Sequence, residues 1–143
     1  MRWITHSPAL GWLAVLGWLA LVGFLMLAPG EGSLVEDTSR AFGGTDLTDA
    51  LGHVVLFGVL AALLAHALSF HLPPDRALWL AAAVAITVGT ALELAQLLAI
   101  ERGASLLDLA ANWLGPLAAA TWLRRTGFSA RAMPRSGARE SQR

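Results

Sequence analysis

The sequence contains no cysteine and no lysine, and only 14% of its 143 residues are charged. Without cysteine the chain cannot form disulfides, bind metals through thiolates or use thiol catalysis. All ten basic residues are arginine, and they balance ten acidic residues to a formal net charge of zero. A net charge of zero indicates no class of binding partner. If the chain crosses a membrane, its topology depends on where the arginines lie rather than on the total charge.

Long apolar stretches fill most of the remaining chain. Hydrophobic residues make up 56% of the sequence, and the charges fall mainly in residues 29–49, in short turns and after residue 123. The runs between them reach the roughly 20 residues that a helix needs to cross a bilayer. A soluble helix rarely stays apolar on every face over that length. The composition therefore predicts one all-α domain, an integral membrane bundle of four transmembrane helices.

The predicted spans are residues 8–28, 49–70, 77–100 and 105–123, named segments 1 to 4. Segment 1 stops at Pro29 and Gly30, which cannot continue a helix. A signal peptide is the alternative for segment 1, but its apolar run exceeds the usual 7 to 15 residues of a signal core. Residues 124–143 hold six arginines and little that could pack, which predicts a basic disordered tail.

The arginines near the ends of the spans predict the orientation. Arg2 precedes segment 1, Arg76 lies between segments 2 and 3, and Arg124 and Arg125 directly follow segment 4. Positive residues of short loops stay in the cytoplasm, so both termini are expected there and the acidic loop of residues 29–48 is expected outside. The lipid bilayer is the expected partner. Nucleic acid is not expected, because the tail has a single aromatic residue and follows a membrane helix.

Polar side chains recur at the ends of segments 2, 3 and 4 that this topology places at the outer leaflet. The set comprises Asp49, His53, Glu93, Gln96, Arg102, Asp108 and Asn112. Within each segment they are spaced three or four residues apart and so share one helix face. Small residues continue those faces, including Gly58, Gly89 and Gly115, and such residues let helices approach closely in lipid. The polar faces are therefore predicted to meet in an outward-facing pocket.

Taken in order, these residues resemble the VanZ-like membrane proteins. The shared pattern is D-x-x-x-H opening one helix, E-x-x-Q closing the next, and R-x-x-S-x-x-D-x-x-x-N-x-x-G leading into the last, which covers Asp49, His53, Glu93, Gln96, Arg102, Ser105, Asp108, Asn112 and Gly115. The resemblance implies a four-helix protein of the bacterial cytoplasmic membrane. The family's named member is linked to low-level resistance to the glycopeptide teicoplanin, and no settled chemistry is implied. This chain has Ala50 where the family commonly has lysine, so no role of that ammonium is carried over.

Several of these residues also have purely structural interpretations. Asp49 could cap the start of segment 2, and Ser105 with Asp108 forms an S-x-x-D capping box for segment 4. Gln96 and Asn112 could be interhelical hydrogen-bonding residues, each contributing about 0.6 kcal/mol.

His53 alone would more often be a satisfied core residue than a ligand. Glu93 is harder to explain structurally, since a carboxylate inside a span is costly and by default marks function. The three carboxylates of Asp49, Glu93 and Asp108 exceed the single positive charge of Arg102. The pocket is therefore expected to take up protons, hold His53 as a cation, or bind a metal or cationic ligand.

Three functional hypotheses follow from this pocket. In the first, a non-catalytic protein with no cofactor binds an envelope lipid or lipid-linked precursor, with Arg102 contacting phosphate. In the second, an intramembrane hydrolase or transferase acts on a lipid headgroup. Its candidate catalytic residues are His53, Glu93 and Asp108, and Mg²⁺ or Mn²⁺ would be held by Asp49, Glu93 and Asp108. In the third, a proton-coupled carrier uses Glu93 and His53.

Overall fold

The computed structural model describes residues 7–27, 45–96, 98 and 105–128. Within these ranges the chain forms four helices: α1 (Pro8–Leu27), α2 (Asp46–Leu68), α3 (Pro74–Gln96) and α4 (Leu106–Arg125). The helices α1, α2 and α3 are long and apolar enough to cross a membrane, which confirms the predicted membrane-type helical character. Helix α4 has 20 residues and is not among these three.

The helix starts follow local capping chemistry. Helix α2 begins at Asp46 because the Thr45 side chain accepts a hydrogen bond from the Thr48 amide. Asp49 therefore lies inside the first turn, and the prediction that it caps segment 2 is wrong. Helix α3 begins three residues earlier than predicted, at Pro74, where a proline suits the first helical position because its missing N–H would have no partner there.

Helix α4 begins as the sequence predicts. The Ser105 hydroxyl accepts hydrogen bonds from the amides of Leu107 (3.2 Å) and Asp108 (3.4 Å), so Ser105 is the N-cap. The predicted end of segment 3 near residue 100, the acidic loop up to residue 44, and Arg2 lie outside the described residues, as does the tail beyond residue 128.

Helix α2 is the centre of the bundle and packs against each of the other three helices, most extensively against α4. Its buried face, with Phe57, Leu60 and Leu64, meets Val22 of α1 and Leu78 of α3 in one core. The outer surface is also rich in large apolar side chains, among them Leu13, Leu16, Phe24, Val55, Leu94 and Trp122. An apolar exterior of this extent is typical of a surface that contacts lipid tails rather than water.

The contact between α2 and α4 depends on two glycines. A Cβ atom on Gly58 would lie 3.3 Å from the Gly115 carbonyl oxygen, and a Cβ on Gly115 would collide with the Val54 carbonyl oxygen. The two backbones therefore touch directly, as the small residues on these faces predicted. This close approach sets the spacing of the polar side chains that α2 and α4 carry nearer their N-terminal ends.

Side-chain hydrogen bonds to backbone carbonyls link helix α1 to α2 and α3 in the described part of the chain. The Trp18 indole N–H donates to the Leu56 carbonyl oxygen of α2 (2.9 Å), and the Gln96 amide nitrogen of α3 donates to the Met26 carbonyl oxygen of α1 (2.7 Å). The second bond adds a donor to a carbonyl in the last turn of α1. Gln96 is thus the predicted interhelical hydrogen-bonding residue, and its partner helix is α1.

Candidate functional site

Four polar side chains from three helices meet at one end of the bundle. Helices α2 and α4 begin at this end and α3 finishes there, so the chain direction alone brings His53, Glu93, Asp108 and Asn112 to the same level. We call these four residues the polar cluster. One ligand-capable atom each from His53, Glu93 and Asp108 lies within 4.8 Å of the other two.

Glu93 is the most deeply enclosed charged residue of the cluster, with 2% of its surface exposed. Its Oε1 accepts a hydrogen bond from the Ser105 amide at 2.7 Å. In a capping box, that amide would be bonded by the side chain three residues further on, which here is Asp108. Glu93 from the neighbouring helix accepts the bond instead. Its second oxygen, Oε2, is buried and has no hydrogen-bond partner among the described residues.

The tautomer of His53 follows from a chain of hydrogen bonds. The Asn112 side-chain nitrogen donates to the Gly89 carbonyl oxygen at 3.2 Å, and a carbonyl oxygen can only accept. The Asn112 amide oxygen must therefore face His53 Nδ1, which lies 2.8 Å away. Because that oxygen also only accepts, Nδ1 carries a proton. A neutral His53 ring then has its free lone pair on Nε2.

Close packing at Gly89 makes this series of hydrogen bonds possible. A Cβ atom on Gly89 would lie 3.0 Å from Asn112 Cβ and 3.2 Å from Phe57 Cε1, so a larger residue would force both side chains back. Asn112 itself is fully buried. Phe57 lies one turn after His53 on α2, with ring centroids 6.2 Å apart, and forms an apolar wall on the inner side of the cluster.

Asp108 faces the same space from α4. It is partly buried, and within the described ranges its Oδ1 has no hydrogen-bond partner. It interacts electrostatically with His53, Glu93 and Asp49. His53 Nδ1 lies 4.0 Å from Glu93 Oε2, so the imidazole is a basic group beside the Glu93 carboxylate. Two ionised carboxylates would leave the cluster with a charge of minus two when His53 is neutral.

The remaining predicted site residues lie elsewhere. Asp49 is exposed one turn before His53, and the adjacent Ala50 is buried. Gln96 is hydrogen-bonded to α1 rather than to the cluster. Arg102 lies outside the described residues.

Sequence reasoning missed two partners of the cluster. It treated Gly89 only as a small residue that permits close packing, whereas its carbonyl orients Asn112. It treated Ser105 only as a cap, whereas its amide holds Glu93. The spacing offered a signal for the first, because Gly89 lies one helical turn before Glu93 on the same face.

Comparison with known proteins found no matching family model, no matching curated protein and no matching solved structure. The membrane class of this chain therefore follows from its apolar helices, and the resemblance to VanZ-like proteins stays a prediction.

Proposed function

We propose that this chain is a VanZ-like multipass protein of the bacterial cytoplasmic membrane that binds an envelope lipid or a lipid-linked precursor at the polar cluster. In this proposal all four helices span the membrane, both termini are cytoplasmic and the cluster faces outward. Binding there would alter the envelope and, with it, susceptibility to glycopeptides such as teicoplanin.

The observation that carries the proposal is a pair of buried oxygens, Glu93 Oε2 and Asp108 Oδ1, that have no hydrogen-bond partner in the part of the chain that the structure describes. A buried polar atom normally has a hydrogen-bond partner, and leaving one unsatisfied costs about 1–3 kcal/mol, or more for a charged group. Two such atoms facing one space indicate that something else supplies the donors. Hydroxyl or ammonium groups of a lipid headgroup are donors of the required kind.

The depth of the cluster agrees with a headgroup ligand. Glu93 precedes the last residue of α3 by three positions, and Asp108 is the third residue of α4. At 1.5 Å per residue, both carboxylates lie within about 5 Å of a helix end. Lipid headgroups occupy the interfacial zones just beyond the hydrocarbon core. Arg102, three positions before Ser105 in the sequence, is the candidate for contact with phosphate.

Asp108→Asn is expected to reduce the lipid that copurifies with the protein at least tenfold, because the change removes a charge and nearly preserves the shape. A lost hydrogen bond to a charged group contributes about 1.5–3 kcal/mol, and 1.4 kcal/mol corresponds to a factor of ten. The measurement is mass spectrometry of lipids retained by protein extracted in native membrane discs.

Asp75→Asn is the matched control. Asp75 is exposed in the first turn of α3, at the opposite end of the bundle, where it lies 3.9 Å from Arg124. Equal lipid retention by the two variants would contradict the proposal. Strains that carry them are compared for teicoplanin susceptibility, where only Asp108→Asn is expected to behave like a deletion.

A second candidate function is an intramembrane hydrolase or transferase acting on the same headgroup. The observation that favours it is the hydrogen bond between His53 Nδ1 and the Asn112 amide oxygen, which leaves Nε2 of the neutral ring as a base. Incubating the purified protein with envelope lipids tests it. Release of a headgroup that depends on His53 would establish an enzyme, whereas unchanged lipid in the presence of bound ligand would favour the binding function.

A further inference from the structure

We propose that the polar cluster holds one divalent metal ion, ligated by the His53 imidazole, a Glu93 carboxylate oxygen and an Asp108 carboxylate oxygen. Three observations point there independently. The three side chains come within 4.8 Å of one another, two of their carboxylate oxygens lack partners, and the hydrogen bond of His53 Nδ1 to Asn112 leaves Nε2 free.

The charges favour a divalent ion over a monovalent one. With His53 neutral and both carboxylates ionised, Glu93 and Asp108 together carry minus two, and a 2+ ion brings the site to zero. Unbalanced charge in a low-dielectric site is strongly unfavourable, so an ion that leaves a residual charge is a poorer occupant.

The spacing permits such an ion only after the ligand atoms move closer together. Oxygen and nitrogen ligands lie about 2.0–2.2 Å from Zn²⁺, so two of them in a tetrahedral set are about 3.3–3.6 Å apart. The observed upper limit of 4.8 Å exceeds this by about 1.2–1.5 Å. Ion binding would therefore require the three side chains to rotate toward one another.

The hydrogen bonds around the three ligands resemble the supporting shell of a metal site. A histidine ligand almost always donates its second ring N–H to an oxygen, which fixes its tautomer. His53 does so to Asn112, which is fixed in turn by the Gly89 carbonyl. The Ser105 amide holds the Glu93 carboxylate by Oε1 and leaves Oε2 toward the cluster.

The ligand set also indicates which ion is preferred. Oxygen-only sites suit Mg²⁺ or Ca²⁺, whereas an imidazole ligand favours transition metals and zinc. One nitrogen with two carboxylate oxygens therefore favours Zn²⁺ or Mn²⁺, with Zn²⁺ bound more tightly. The set of Asp49, Glu93 and Asp108 that the sequence suggested would have favoured Mg²⁺ or Mn²⁺, but Asp49 is exposed and His53 is the residue that faces the two carboxylates.

Such an ion would also change what the proposed lipid site can accept. An anionic cluster repels a phosphate, whereas a divalent ion with open coordination positions binds one directly. This step rests on the proposed function, since it assumes that a lipid headgroup reaches the cluster. Occupancy of the metal site does not depend on that assumption.

The test is equilibrium dialysis of detergent-purified, chelator-treated full-length protein against Zn²⁺, Mn²⁺, Mg²⁺ or Ca²⁺, read by elemental analysis. The expected result is one Zn²⁺ or Mn²⁺ per chain and at least tenfold weaker binding of Mg²⁺ and Ca²⁺. His53→Ala and Asp108→Asn should each weaken Zn²⁺ binding at least tenfold. His71→Ala and Asp75→Asn, which change exposed residues outside the cluster, should leave it unchanged.

Binding of less than a tenth of an equivalent of every ion would overturn the metal site, as would equal Zn²⁺ binding by His53→Ala and the unchanged protein. Thermal unfolding of the unchanged chain with and without Zn²⁺ gives a second measurement that needs no variant, and the melting temperature is expected to rise with Zn²⁺. Lipid retention is measured separately with and without chelator. Lipid retained by a chain that binds no ion would reject the metal site and support the proposed function. Ion binding without retained lipid would support the metal site and reject the proposed function.

Discussion

Gly115→Ala is expected to destabilise the bundle more than any other single methyl addition to a described glycine. The new Cβ would collide with the Val54 carbonyl oxygen and lie 3.0 Å from the Gly58 nitrogen. Both neighbours are backbone atoms of α2, so no side-chain rotation relieves the contact and the two helices must move apart. Overpacking of a close interface typically costs about 1–3 kcal/mol, and the separation would also widen the polar cluster.

Gly52→Ala is the matched control, because nothing lies within 4 Å of a Cβ at that position of α2. Alanine has the higher helix propensity by up to about 1 kcal/mol, so this variant should unfold at the same or a higher denaturant concentration. The free energy of unfolding in mixed detergent micelles is the quantity to compare. Equal values for the two variants would mean that the α2–α4 contact at Gly115 is not close in the folded protein.

Glu93→Gln and Glu93→Ala are expected to separate the two roles of the Glu93 carboxylate. Both variants remove the charge of the carboxylate and should weaken the binding of a ligand at the polar cluster at least tenfold. Glutamine keeps an oxygen that can accept the Ser105 amide hydrogen bond, whereas alanine leaves that amide without its partner. The unsatisfied amide costs about 1–3 kcal/mol, so the alanine variant should be the less stable of the two by that amount.

The sign of the stability change caused by Glu93→Gln is informative by itself. In the ligand-free protein, Glu93 Oε2 is a buried oxygen without a hydrogen-bond partner among the described residues, and a buried charge that is not fully hydrogen-bonded is costly. Glu93→Gln is therefore expected to be as stable as the unchanged chain or more so while it loses binding. A variant that loses stability as strongly as Glu93→Ala would show that the charge of Glu93 supports the fold and would weaken the functional interpretation.

Much of the fold could be predicted from the sequence, because each helix is a long apolar run that ends at a recognisable residue. Helix α1 ends at Leu27, two residues before Pro29 in the sequence, and Ser105 caps the start of α4. The boundaries of all four helices fall within a few residues of the prediction where they are described. The convergence of His53, Glu93 and Asp108 was predictable for a related reason. Antiparallel neighbours joined by short connections bring the end of one helix beside the start of the next.

The hydrogen-bond partner of each polar side chain could not be predicted from the sequence. Gln96 and Glu93 are one turn apart on the same face, yet Gln96 bonds to α1 and Glu93 bonds to the start of α4. A local capping rule assigned the Ser105 amide to Asp108, and a side chain from another helix occupies that place. These choices depend on helix rotation and rotamers, which packing between helices fixes and residue spacing does not encode.

The hydrogen bond between Glu93 and the Ser105 amide couples the first turn of α4 to the ligand occupancy of the polar cluster. A ligand that draws the carboxylate toward itself must lengthen or reorient this bond, so occupancy and the start of α4 are coupled in both directions. The Ser105 amide proton therefore serves as a built-in reporter. Its exchange rate with solvent should differ between the empty and the occupied protein, even for a ligand that has no spectroscopic signal of its own.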